Sequence, residues 1–232
     1  MRLAFFLIIM LIKISSAGII EISEMDLSIF VKDKAHFRYE MTLKNLVDKP
    51  LVPGISELRL QKVESSKLFI FPLPFGEKRG AVELENLKAY SGDMYFKVYS
   101  ENRGEYTTVY YEIWYPIEPL GERKIILEFN ADLVERGLLF KSVTVPIGGD
   151  IDIKKVKLNL TSDWKLCYLE RGGDTIPANH IAFLTAEFSL LPLPLLPIRG
   201  YILFWGSIIF LIILILSIIL KKKKKKLKGE KS

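Results

Sequence analysis

FRYEMTL, residues 37–43, sets Phe37, Tyr39, Met41 and Leu43 in strict alternation with Arg38, Glu40 and Thr42. Successive side chains of an extended chain point to opposite faces, so this pattern describes a strand with one face in a core and the other in water. The residues that follow, NLVDKPLVPG at 45–54, include Pro50 and Pro53, which cannot donate to a ladder, and read as a turn-rich connection.

The period of two recurs along the chain. Met94, Phe96 and Val98 alternate, Glu101-Asn102-Arg103-Gly104 forms a turn, and Val109, Tyr111, Ile113 and Tyr115 resume the pattern, which predicts a hairpin over 94–115. Strands are also expected at 122–129, 138–145, 151–160, 164–169 and 181–190, with Gly-Gly-Asp turns at 148–150 and 172–174. Asn130–Gly137 reads as one short helical turn, and LFIFPLPF at 68–75 as an edge strand or crossover. Many short strands without long helical periodicity predict an all-β ectodomain over 18–191, an antiparallel β-sandwich. Pro116–Gly121 is either a hinge between two smaller sandwiches or a turn within one.

The two ends have a different character. Arg2, the apolar run Leu3–Ile12, and the small residues Ser15 and Ala17 describe a signal peptide over 1–17, with an uncleaved anchor as the alternative. Pro192, Pro194 and Pro197 stiffen a neck over 192–200. Tyr201–Leu220 carries no charge, and its twenty residues would span about 30 Å as a helix, so one C-terminal transmembrane α-helix is expected. Lys221, Lys222, Lys223, Lys224, Lys225, Lys226 and Lys228 lie in a polybasic tail over 221–232, where they would meet anionic headgroups of the bilayer. The expected localisation is the cell membrane, single-pass, with the N-terminus outside and the C-terminus cytoplasmic. Leu196-Pro197-Ile198-Arg199-Gly200 is similar to a sortase sorting signal, but Arg199 replaces its threonine, which argues for an unprocessed tail.

Net charge is +6, yet the lysine tail accounts for it. Without the two ends the chain holds 23 basic against 26 acidic residues, so nucleic acid is not an expected partner. The single cysteine, Cys167, excludes a disulfide within the chain.

FRYEMTLKNLVDKPL (37–51) and YEIWYPIEPLGERKIILEF (111–129) resemble the strand-and-turn segments of immunoglobulin-like β-sandwich modules on archaeal and bacterial cell surfaces. The resemblance implies an immunoglobulin-like fold and, by analogy, adhesion or envelope structure.

Catalytic patterns are sparse. His36 and His180 are the only histidines, and neither has the helical partner of a zinc motif. Cys167 with His180 could form a nucleophile and base, but the surroundings of neither suggest it. No cofactor is expected, and the chain reads as a non-enzyme. Two features suggest recognition. Tyr95, Tyr99, Tyr106, Tyr110 and Trp114 would share one face of the 94–115 hairpin, and Asn159-Leu160-Thr161 is a glycosylation sequon at Asn159. The expected function is binding, adhesion or envelope structure, or a subunit role in a membrane complex. A sensor acting through a partner and an enzyme of unrecognised type are the alternatives.

Overall fold

The computed structural model describes residues 18–68, 71–137, 140–190 and 202–229. Strand makes up 63% of the chain, against roughly 20–25% in an ordinary globular protein, so the all-β class is established. The strands among the described residues form four sheets. The largest has the order β13-β1-β2-β10-β6-β7, from β1 (Ile20–Val31), β2 (Ala35–Asn45), β6 (Leu84–Ser91), β7 (Met94–Phe96), β10 (Glu122–Ala131) and β13 (Val156–Ser162). A four-stranded sheet joins β11 (Val134–Arg136), β12 (Phe140–Gly149), β15 (His180–Ser189) and β14 (Lys165–Arg171) in that order. A three-stranded sheet runs β3 (Gly54–Leu60), β9 (Thr107–Ile113), β8 (Val98–Asn102), and β4 (Lys62–Leu68) pairs with β5 (Phe71–Gly80).

Alternation builds the core. Phe37, Tyr39, Met41 and Leu43 of β2 are buried, and their neighbours on β10, Ile125, Leu127 and Phe129, are buried with them. Phe129 stacks on Phe37 at 5.2 Å and on Tyr39 at 5.9 Å between ring centroids. The three-stranded sheet contributes Leu58, Leu60, Val109 and Ile113 to the same core, and the four-stranded sheet contributes Val143, Val145, Leu184 and Phe188. The outward positions of β2 and β10 form a charged lattice, in which Arg38 pairs with Glu40 and Glu128, and Tyr90 donates to Glu128 at 2.9 Å.

Asn45 closes β2 and ties two loops together. Its carboxamide nitrogen donates to the carbonyls of Lys49 at 2.7 Å, Glu118 at 3.0 Å and Ile117 at 3.2 Å, and its oxygen accepts from the Val47 amide at 3.0 Å. Leu51 and Ile117 exchange backbone hydrogen bonds beside it. The 116–121 segment is therefore pinned to the 45–51 turn, and the buried core draws on residues before and after it.

Several expectations need correction. Pairing is not wholly antiparallel, because β13 runs parallel to β1, Met25 lying opposite Val156. The 94–115 hairpin is shorter than expected: Met94–Phe96 pairs with β6 in the large sheet, and only Val98–Ile113 forms the β8–β9 hairpin. Asn130–Gly137 is not a helical turn, since β10 runs to Ala131 and Val134–Arg136 pairs with β12.

Among the described residues one helix, α1 (Ile202–Gly229), follows the β strands. Among the described residues no helix is long and apolar enough to cross a membrane. The expected transmembrane helix over 201–220 and the single-pass membrane localisation are corrected accordingly. Lys221 and Lys222 are exposed on α1, while the side chains of Lys223–Lys226 and Lys228 lie outside the described residues, as do the signal peptide and the neck.

Candidate recognition surface

The outward face of the three-stranded sheet is set by its register. Tyr110 of β9 lies between Glu57 of β3 and Tyr99 of β8, and Thr108 lies between Arg59 and Glu101. Tyr99 and Tyr110 stack at 5.2 Å with an interplanar angle of 26°. Arg59 sits 5.8 Å from the centroid of Tyr106 and 3.4 Å from the Glu57 carboxylate. Arg103 donates to the Tyr110 hydroxyl at 3.3 Å. At the margin, Lys97 and the Trp114 indole both donate to Glu112, at 2.8 and 3.0 Å, and hold its carboxyl below the usual range, Lys97 most strongly.

Three of the five aromatic residues expected on one face, Tyr99, Tyr106 and Tyr110, therefore meet there, with Trp114 beside them. Tyr95 does not join them. It lies on β7 in the large sheet, 73% exposed, with its ring 5.7 Å from Tyr90.

This face continues into a cleft. Strand β3 runs against β12 without a ladder joining them, and the seam leaves a cavity of about 190 Å³. Glu57 and Arg59 line it from β3, Pro146, Gly148 and Gly149 from β12, with Asp150, Asn179 and Ile181 completing the wall. Gly148 has φ +146°, and a Cβ there would strike the His180 carbonyl oxygen. Asn179 adopts a left-handed φ of +61°, and its amide donates to the Gly149 carbonyl at 2.7 Å. Asp152 fixes the approaching loop by accepting the Ala178 amide at 2.6 Å, which holds its carboxyl below the ordinary range, Lys154 adding to the effect. Behind the seam the Tyr111 phenol is pushed up to about 12 by burial, although Ser56 hydrogen-bonds it.

The cleft residues carry no sequence motif. Two signals could have found them: the alternation in ISELRL (55–60), which turns Glu57 and Arg59 outward, and the Gly-Gly-Asp turn at 148–150. The considered nucleophile and base do not meet. Cys167 lies level with the Glu187–Phe188 end of β15, and His180 is about 25 Å away at its start. His36 contacts Asn130 at 2.8 Å on the large sheet's outer face. Asn159 is exposed on β13, opposite Ser28. Among the described residues no three His, Cys, Asp or Glu side chains gather as a metal site.

No family model matches the chain. Several solved structures are similar over about three quarters of it. A Legionella pneumophila protein assigned provisionally to nutrient binding has a TM-score of 0.41 at 12% identity, covering 75% of this chain and 68% of that one. Yeast LTA4 hydrolase has a TM-score of 0.40 at 8% identity, covering 75% of this chain and 30% of the enzyme. An M1 zinc metallopeptidase from Deinococcus radiodurans has 0.39 at 10% identity, covering 74% and 39%. Likeness at this level carries no argument about shape or chemistry. Sequence similarity is stronger: Uncharacterized protein MJ1395 of Methanocaldococcus jannaschii is 43% identical over 106 residues, which make up 45% of this chain and 80% of that protein. The chain belongs to the family of this archaeal protein.

Proposed function

We propose that the chain is a non-enzymatic binding module that recognises its partner across the outer face of β3, β9 and β8. The observation that supports this is the continuity of that face: stacked Tyr99 and Tyr110, the Arg59–Glu57 pair and the seam cleft lie side by side. Tyrosine and arginine are enriched where surfaces bind, because each offers a rigid or amphipathic body together with a polar tip. We also propose that the sheets pack face to face as an immunoglobulin-like sandwich, supported by the buried core they share and by the hydrogen bond from the Tyr111 hydroxyl to the Met41 sulfur at 3.8 Å.

The test is a panel of immobilised oligosaccharides and peptides probed with the full chain. A variant carrying Tyr99→Ser, Tyr110→Ser and Arg59→Ala should lose binding and keep the wild-type circular dichroism spectrum. Unchanged binding by a folded variant refutes the surface.

A further inference from the structure

The seam cleft carries enough chemistry to name a ligand class, and the inference rests on the binding reading given above. Its volume of about 190 Å³ is below the roughly 300–1,000 Å³ of a drug-sized pocket and suits a single ring-sized group. Two polar side chains in its wall, Asp150 and Asn179, make no hydrogen bond or ion pair among the described residues. A carboxylate only accepts hydrogen bonds, whereas a carboxamide both donates and accepts. Together they match adjacent hydroxyls, each of which also does both.

Charge narrows the choice. Arg59 lines the same cleft and is already paired with Glu57, so a second cation would meet the guanidinium. Asp150 in turn opposes an anion such as phosphate or a uronate. A neutral, hydroxyl-rich ligand meets neither penalty. The apolar wall supports the same choice, because Ile181 (53% exposed) offers surface to the C–H face of a sugar ring. Tyr110, opposite Glu57 in the register, continues the path for adjoining sugar units.

We propose that the seam between β3 and β12 is a subsite for one neutral sugar ring, held by Asp150 and Asn179 against Ile181, with the rest of the glycan running over Tyr110 towards Tyr99.

The experiment is a titration of the isotope-labelled full chain with methyl glucoside, methyl mannoside, N-acetylglucosamine and their short oligomers, followed by amide shifts. Saturable shifts at Gly148, Gly149, Asp150, Asn179 and Ile181 are expected in the millimolar range, with at least about tenfold tighter binding for oligomers. Asp150→Ala should weaken sugar binding about tenfold or more. Asn179→Gly, which tolerates the left-handed backbone while removing the side chain, should do the same without loss of fold. Lysine amide and inorganic phosphate serve as charged probes. No shift with any sugar at about 100 mM, or shifts at the cleft with a charged probe instead, overturns the proposal. If sugars fail while the tyrosine-face variant still abolishes panel binding, the ligand class falls and the surface reading stands. If both fail, the two fall together.

Discussion

Replacing Asn45 with alanine tests the joint between the two loops at the end of β2. Asn45 is fully buried, and its side chain serves four backbone groups: the carbonyls of Lys49, Ile117 and Glu118, and the amide of Val47. Two hydrogens on the carboxamide nitrogen are shared among the three carbonyls, so the side chain makes the equivalent of about three full hydrogen bonds. Alanine removes these bonds and leaves the backbone groups unpaired. A buried polar group left unsatisfied costs about 1–3 kcal/mol, and partial entry of water softens the sum, so a loss of about 3–5 kcal/mol is expected. Asn45→Asp should cost at least as much, because a carboxylate presents no donor to the three carbonyls. With a urea slope of about 2 kcal/mol/M, the alanine variant should unfold about 2 M earlier by circular dichroism. Amide exchange should quicken at Leu51, Ile117 and Leu120, whose backbone bonds the joint supports. A loss below about 1 kcal/mol with exchange unchanged at those amides refutes the reasoning.

Tyr39 is fully buried, and its hydroxyl has no hydrogen-bond partner among the described residues, so Tyr39→Phe should raise stability by about 1 kcal/mol, read as an increase of a few degrees in Tm. A decrease in Tm would show that the hydroxyl is satisfied. Burial raises the phenols of Tyr39 and Tyr111 above the ordinary tyrosine value, that of Tyr111 to about 12. Both groups stay protonated longer in the folded chain than in the unfolded one, so their contribution is complete below about pH 10 and is lost as pH rises through the folded values. Urea midpoints should therefore fall steeply above pH 10, less so in Tyr39→Phe, and a flat profile would contradict burial as the cause. Gly148→Ala should cost at least about 2 kcal/mol by thermal unfolding, since its φ of +146° disfavours a side chain and the added Cβ meets the His180 carbonyl.

The strands that alternate cleanly were legible from sequence. Ala35–Asn45 buries the side chains that FRYEMTL predicts, and Glu122–Ala131 and His180–Ser189 fall close to the expected segments. Ile20–Val31 went unread for a local reason: a register irregularity between Ile22 and Glu24 shifts the phase of its alternation. The hairpin was read too long because alternation continues through Lys97, where the chain leaves the large sheet for the three-stranded one, and period alone does not reveal such a change of partner. The parallel partnership of β13 with β1 joins residues about 130 apart, a distance no local pattern can span. At the candidate site, composition and spacing picked out the tyrosines but not the cleft. Glu57, Arg59, Asp150 and Asn179 come from separate segments and meet only where β3 and β12 lie side by side.

The most direct test compares two surfaces of the same molecule by measuring the affinity of the full chain for the tightest ligand in the oligosaccharide and peptide panel. Arg59→Ala and Tyr110→Ser alter the face of β3, β9 and β8, whereas Thr42→Ala and Lys157→Ala alter the outer face of the large sheet. The binding reading predicts at least about a tenfold loss of affinity for the first pair and less than about twofold for the second, with all four variants folded. Equal affinity in the first pair, or a loss confined to the second, would contradict it.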